Sequence, residues 1–354
     1  MKSFELGFIE SQPITQNLLR TVRLLGEYKG KEELFKQQIP QALETLRQAA
    51  IIQSTESSNR IEGVTAPLER IQALVSKKTT PRNRSEQEIA GYRDVLQTIH
   101  ANHAHIPLTT GVVLQLHRDL YRYAGTTGGR WKSVDNEIME VRPDGTKVIR
   151  FRPLSAFATP EAMEQLHVRL NEMWRQEDVE KLVLIPAYVL DFLCIHPFLD
   201  GNGRMARLLS LLLLYQAGFE VSRYSSLEML MEQSKESYSD TLQQSSQGWH
   251  EGKHTLLPWT EYFLGVLIAA YREFEQRVGL LTMARGAKTE MVLQAIRHLP
   301  DGFRMVELER LCPHVTRDMI RVVLNKLKAE SEIVCEGAGR GSIWRKRGNK
   351  LPVP

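Results

Sequence analysis

Apolar residues recur at helical spacing through most of the chain, and the pattern predicts a mainly α protein. Its centre is an apolar stretch from Val183 to Ile195, with Pro186 suited to a first helical turn, a polar glycine-rich segment at 196–207, and a second apolar run from Leu208 to Tyr215. These read as helix, loop, helix. Upstream, residues 1–40 show short apolar patches broken by Pro13 and Pro40, and no element is read there. A helix pattern from Ala42 (Leu43, Leu46, Ala50) runs to Gly63, a helix stop. Ser85 with Glu88 forms a capping-box pattern opening a helix with Ile89, Tyr92, Leu96 and Ile99 on one face. A further helix is expected over Thr110–Tyr123, ended by Gly125, Gly128 and Gly129.

In the first 280 residues, alternation argues for strands only at Asn136–Val141 and Lys147–Phe151, joined by the turn Pro143-Asp144-Gly145. Thr159-Pro160-Glu161 opens a helix reaching about Trp174, and Gly218 stops the helix that follows the glycine-rich segment. One helix from about Ser226 should carry Tyr238, and another spans Trp259 to Leu281. Arg285 to Lys288 read as a linker. Beyond it lie helices over Thr289–His298, Val306–Leu311 and Thr316–Lys328, then a hairpin pairing Glu332–Glu336 with Ser342–Arg347.

With 354 residues, 42% hydrophobic and 25% charged, the chain is long enough for two domains of ordinary globular composition. The N-terminus lacks the apolar core of a signal peptide, and Leu208–Leu214 is too short to span a bilayer. No membrane role and a cytoplasmic location are therefore expected. Cys194, Cys312 and Cys335 are odd in number and without metal-like spacing, as thiols in a reducing compartment would be. The net charge of +4 is unevenly spread: residues 288–350 hold thirteen Lys or Arg against eight Asp or Glu. Any polyanion partner belongs at that end.

The segment His196-Pro197-Phe198-Leu199-Asp200-Gly201-Asn202-Gly203-Arg204-Met205-Ala206-Arg207 concentrates chemistry. Gly201 and Gly203 flank Asn202, so the backbone can turn tightly and bring N–H groups to an anion at a helix N-terminus. Arg204 and Arg207, expected in the first turn, place cations where the helix dipole disfavours them, which argues for an anion opposite. Asp200 is a hard oxygen ligand for Mg2+, and His196 titrates where a hydroxyl proton can be taken near neutral pH.

This segment resembles the signature of the Fic family, H-P-F-x-D/E-G-N-G-R-x-x-R, at every specified position. The resemblance implies a Fic-type helical domain with a small β-hairpin flap, and transfer of a nucleoside monophosphate, usually AMP from ATP, to a Ser, Thr or Tyr hydroxyl of a target protein. It implies His196 as general base, Asp200 as Mg2+ ligand, Gly201, Asn202 and Gly203 as the anion nest, and Arg204 and Arg207 as phosphate-binding arginines. Ser58, Glu62 and Gly63 resemble the family's inhibitory motif, S/T-x-x-x-E-G/N, whose Glu pairs with the second signature arginine, here Arg207, and obstructs the γ-phosphate. A carboxylate at a helix C-terminus gains by meeting a cation, in keeping with that pairing. The hairpin at 136–151 corresponds to the flap, and Tyr238 to a tyrosine beside the nucleotide base.

The last seventy residues resemble a winged helix-turn-helix domain. Its third helix would bury Met319, Ile320, Val323, Leu324 and Leu327 and present Arg317, Arg321, Asn325 and Lys328, with Arg340 at a wing tip. The expected organisation is an N-terminal helical region (1–84), a catalytic domain (85–284) and the winged helix (288–354). Partners are ATP, a hydroxyl-bearing protein target, duplex DNA and a second copy of the chain. The competing readings are a DNA-binding regulator that senses nucleotide, another nucleotide donor, or AMP removal.

Overall fold

The computed structural model describes residues 1–38, 40–141, 146–282, 287–312, 315–337, 339 and 342–347. The turn at 143–145, Arg285 and Gly286 of the linker, and Arg340 lie outside them. Two compact units are present: Met1–Gly26 with Arg47–Tyr271, and Glu27–Leu46 with Arg272–Pro354.

Within the first 40 residues, helix α1 (Gln16–Gln38) forms where no element is legible in the sequence. Its buried positions Leu18, Leu25, Tyr28 and Phe35 keep helical spacing, but the buried Glu32 interrupts the apolar stripe and masks the period. Helix α2 (Pro40–Ile61) follows and ends on Gly63 at φ 79°, with the Gly63 and Val64 amides turned back onto Arg60 and Asn59 carbonyls.

The larger unit is built around two helices buried on all sides. Helix α3 (Leu68–Val75) leads to α4 (Arg84–Asn102) and α5 (Thr110–Leu120), and after the hairpin come α6 (Thr159–Gln176), α7 (Lys181–Ile195) and α8 (Asn202–Gln216). Helices α7 and α8 pack on each other, α6 covers α7, and α4 lies against α5 and α8. From Leu184 to Phe192 every residue of α7 is buried, and so is every residue from Arg204 to Tyr215 of α8; the patterns are apolar on nearly all sides, with Asp191, Arg204, Arg207 and Ser210 the buried polar exceptions. Because α7 starts at Lys181, Pro186 falls in the second turn rather than the first. Helix α8 starts at Asn202, so Arg207 also belongs to a second turn.

Three boundaries differ from expectation. Helix α4 is capped by Asn83, which accepts from the Glu86 amide at 2.9 Å, so Ser85 is not the cap and the Glu88 side chain is used elsewhere. Helix α5 ends at Leu120, before the glycines. The helix expected from Ser226 is two, α9 (Leu227–Gln233) and α10 (Lys235–Ser246), because the Ser234 hydroxyl bonds back to the Leu230 carbonyl and breaks the run. Tyr238 lies on α10.

Strands β1 (Ile138–Val141) and β2 (Lys147–Phe151) form the antiparallel hairpin, pairing Met139 with Ile149 and Ile138 with Phe151 across a register irregularity. Helix α11 (Leu257–Thr282) closes the core through Trp259, whose indole N–H donates to the Pro186 carbonyl at 3.0 Å.

In the smaller unit, α12 (Ala287–His298), β3 (Phe303–Arg304), α13 (Met305–Leu311), α14 (Arg317–Ala329), β4 (Ile333–Glu336) and β5 (Ile343–Lys346) follow one another. The hairpin gains a third strand not read in the sequence, giving the order β3-β5-β4. Ile320, Val323, Leu324 and Leu327 of α14 are buried with Met291, Ile296, Leu308, Phe303 and Ile333. Met319 lies outside the buried set of α14.

Candidate active site

The loop between α7 and α8 is fixed before any ligand arrives. His196 ends α7 in the left-handed region (φ 52°, ψ 61°), where a glycine is usual, and its amide closes on the Phe192 carbonyl at 2.9 Å. The Phe198 ring is fully buried, stacked on His117 with centroids 3.6 Å apart and planes 5° from parallel. Asn202 grips both backbone groups of Phe198, accepting from its N–H at 2.9 Å and donating to its C=O at 2.8 Å. His117 Nδ1 accepts from the Gly129 amide at 2.9 Å, so its Nε2–H donates to the Asp200 carbonyl at 3.1 Å. Burial lowers the His117 pKa to about 4 and keeps the ring neutral.

The His196 ring is held in one tautomer. Its Nδ1 lies 3.3 Å from the Leu193 carbonyl, which can only accept, so the proton sits on Nδ1 and Nε2 presents a lone pair. Burial pushes its pKa down to about 4; the Leu193 carbonyl, Glu62 and Asp200 oppose that shift and the Lys132 charge adds to it. The imidazole is therefore a neutral base at pH 7.

The two arginines have different surroundings. Arg207, 3% exposed, donates from Nε to the Ser58 hydroxyl, and from one terminal nitrogen to the Ser58 carbonyl and Glu62 Oε1, each at 2.8 Å. Burial disfavours its charge, but Glu62, Tyr238 and Tyr92 together outweigh that and raise its pKa. Arg204, 1% exposed, donates to Glu88 at 2.7 Å, to the Tyr121 hydroxyl at 2.8 Å and to Asn59 at 3.4 Å. It does not line the cavity described below. The Asn202 amide is likewise spent on Phe198.

A cavity of about 230 Å³ opens beside this loop. Its polar lining includes Glu62, Arg150, His196, Arg207, Lys235 and Tyr238, and Gly203 contributes bare backbone. Hydrophobic walls come from Ile138 and Phe151 of the hairpin and from Leu190, Leu193 and Leu242. A Cβ at residue 203 would overlap Glu62 Oε1 and press on Arg207, so the Glu62 carboxylate lies directly over the α8 N-terminus, where the helix dipole favours an anion. At Gly201 (φ 84°) a Cβ would press against the Tyr121 hydroxyl at 2.9 Å. Tyr238 packs edge-on against Trp259 at 5.5 Å, and burial raises its pKa.

Asp200 is exposed; its Oδ1 accepts from the Gly201 amide at 2.7 Å and its Oδ2 is 3.7 Å from Arg204. Among the described residues no group of three His, Cys, Asp or Glu side chains is arranged for a metal. A lone, solvent-facing carboxylate does fit Mg2+, which keeps several waters and is commonly held by one or two carboxylates together with substrate phosphate.

Sequence reading missed several residues here. Glu88 was read as a capping residue, which hid its pairing with Arg204. Lys132, in a segment without periodicity, and Asn136, at the start of the alternating stretch 136–141, hold the loop carbonyls, and neither carries a local signal for that role. Arg150 reaches the cavity from β2 and donates to the Ser239 carbonyl at 2.9 Å, while Lys235 caps α2 at the Ile61 carbonyl, 3.1 Å away.

Residues 107–214, which run from just before α5 into α8, match the model of the Fic/DOC family. Over 179 residues the chain is 28% identical to the protein adenylyltransferase Fic of Nematostella vectensis, covering 48% of this chain and 39% of that protein. A Fido domain-containing protein of Dictyostelium discoideum is 39% identical over 67 residues, covering 18% of this chain and 47% of the other. The chain thus spans less than half the length of these curated relatives. A Fic family protein from Desulfovibrio desulfuricans G20 superposes with TM-score 0.62 at 22% identity, covering 96% of this chain and 98% of that one. A Fic domain containing signaling protein from Bacteroides thetaiotaomicron gives 0.61 at 21%, covering 73% and 98%. Both share the fold. Among the described residues no helix is long and apolar enough to cross a membrane.

Proposed function

We propose that the chain transfers AMP from ATP to a Ser, Thr or Tyr hydroxyl of a protein, itself included, and that Glu62 restrains the reaction. The observation that carries this reading is a neutral His196, its Nδ1 committed to Leu193, on the wall of a cavity shared with Arg207 and the α8 N-terminus. His196 Nε2 takes the hydroxyl proton, the oxygen forms a bond to the α-phosphorus, and the bond to the departing pyrophosphate breaks. Arg207 and the amides at the start of α8 stabilise the phosphate charge once Glu62 has moved aside. Mg2+ bound at Asp200 would neutralise charge on the phosphates as pyrophosphate departs. The relative named as an adenylyltransferase favours this donor, and the hairpin edge offers backbone groups for pairing with an extended target segment.

In His196→Ala, label from α-labelled ATP should no longer reach protein while ATP binding persists, because the phosphate donors remain. Near-normal labelling in this variant would remove His196 as the base.

A second reading concerns the smaller unit. The outward face of α14 carries Arg317, Arg321, Asn325 and Lys328, and its four buried apolar residues hold that face to solvent. We propose duplex DNA as its partner, with the helix and three-stranded sheet acting as a winged helix.

A further inference from the structure

The strongest unassigned feature is a buried ammonium beneath the base. Lys132 is 3% exposed, and no carboxylate among the described residues pairs with it. Instead Nζ donates to the Ile195 carbonyl at 2.9 Å and to Asn136 Oδ1 at 3.0 Å, and its backbone amide donates to the Pro197 carbonyl at 2.8 Å. Asn136 completes the set by donating to the Phe198 carbonyl at 3.1 Å. Carbonyls on both sides of His196 are thus gripped from one short segment, while His196 itself holds a left-handed conformation costing on the order of 1 kcal/mol. The Ile195 carbonyl ends α7, where the helix dipole favours a cation.

We infer that Lys132 is a positioning residue of this site: with Asn136 it clamps the carbonyls flanking His196 and fixes where the imidazole stands. The location is demanding for an ammonium: burial lowers the Lys132 pKa to about 8, although the Asp135 charge acts the other way. A surface lysine would make a salt bridge at lower desolvation cost, and a purely packing role would be filled by Met or Leu. The charge also acts on the base. Glu62 from the end of α2 and Asp200 from the loop favour imidazole protonation, whereas Lys132 opposes it. The remaining ionisable groups on that cavity wall are Cys194, Arg150, Arg207, Lys235 and Tyr238. Lys132 thereby supplies geometry and helps keep Nε2 free of a proton at neutral pH.

The test uses the full chain labelled at histidine Cε1, with His196 assigned by its absence in His196→Ala. Lys132→Met keeps the length of the side chain and removes the charge and the Nζ bonds. Asn136→Leu keeps the lysine and its bond to the Ile195 carbonyl, and removes the Phe198 contact together with the Nζ bond to Asn136. The expected results are a His196 titration midpoint that rises in Lys132→Met and stays in place in Asn136→Leu. Transfer measured in the Glu62→Gly background should fall in both variants, on the order of 100-fold for a displacement near 1 Å. This rate arm rests on the proposed transfer; the titration does not, so absence of all transfer would defeat that reading while the midpoint still decides the role of Lys132. A midpoint unmoved in Lys132→Met overturns the inference. So does a parental rate in Asn136→Leu, which keeps the question open to measurement if Lys132→Met fails to fold.

Discussion

Replacing Glu62 with Gly removes one of three 2.8 Å contacts to the Arg207 side chain and leaves both Ser58 contacts in place. The guanidinium should therefore stay where it is, now facing the cavity. A hydrogen bond between two charged groups contributes about 1.5–3 kcal/mol, and the lower end applies because the Glu62 side chain is 36% exposed and partly screened. About 1.5 kcal/mol corresponds to roughly a tenfold change in the fraction of sites open to phosphate. Because the carboxylate lies over Gly203, each site with Glu62 in place is blocked, and that fraction sets the rate. Auto-modification should rise about tenfold with α-labelled ATP and Mg2+, and Glu62→Gln, which keeps the volume but loses the charge, should rise less. Helix α2 keeps its other anchors, since the Ser54 hydroxyl donates to Glu228 at 2.7 Å and Lys235 caps Ile61, so a rise reflects release of the site and not unfolding of the helix. If Glu62 instead positions a hydrolytic water, the intact protein should release AMP from purified AMP-modified target and the variant should not. A substitution that changes neither synthesis nor removal refutes the restraint.

Asp200→Ala should weaken Mg-ATP binding as well as turnover, and an unchanged dependence on Mg2+ concentration would remove Asp200 as ligand. Acid should destabilise the larger unit early: burial holds His100 at about 3 and His117, His167 and His196 at about 4. These folded-state values lie below the unfolded one near 6.5, so the stabilisation is complete above that pH and is lost as pH falls toward 4, at about 1.4 kcal/mol per pH unit for each histidine. A melting temperature flat between pH 7 and pH 5 contradicts this. For the smaller unit, Arg317→Ala and Arg321→Ala in the full chain should weaken binding to duplex DNA and flatten its salt dependence. No binding by the parent at low salt makes that face a protein-contact surface.

The chain's local grammar determined the elements whose signals are local. The largely apolar runs of α7 and α8, the glycine at the end of α2 and the 196–207 segment each carry their cause within a few residues. Where local signals conflict, the elements were hidden or misplaced: the buried Glu32 concealed the period of α1, and Asn83 outcompeted Ser85 as the cap of α4. The Glu88 carboxylate, free of a capping role, meets Arg204 instead, 116 positions away. The same holds within the site. Sequence alone named His196 and Arg207 as reactive types, but not which nitrogen of His196 is free, because that depends on the Leu193 carbonyl and on burial. It offered two arginines as equivalent, and tertiary packing made them unlike by giving Arg204 to Glu88 and Tyr121 and leaving Arg207 on the cavity wall beside Glu62. Lys132 was invisible for the same reason. Its carbonyl partners lie 63 and 65 positions away, and only the packed structure brings its ammonium to the Ile195 carbonyl, which no helix partner can satisfy, and its backbone amide to the Pro197 carbonyl.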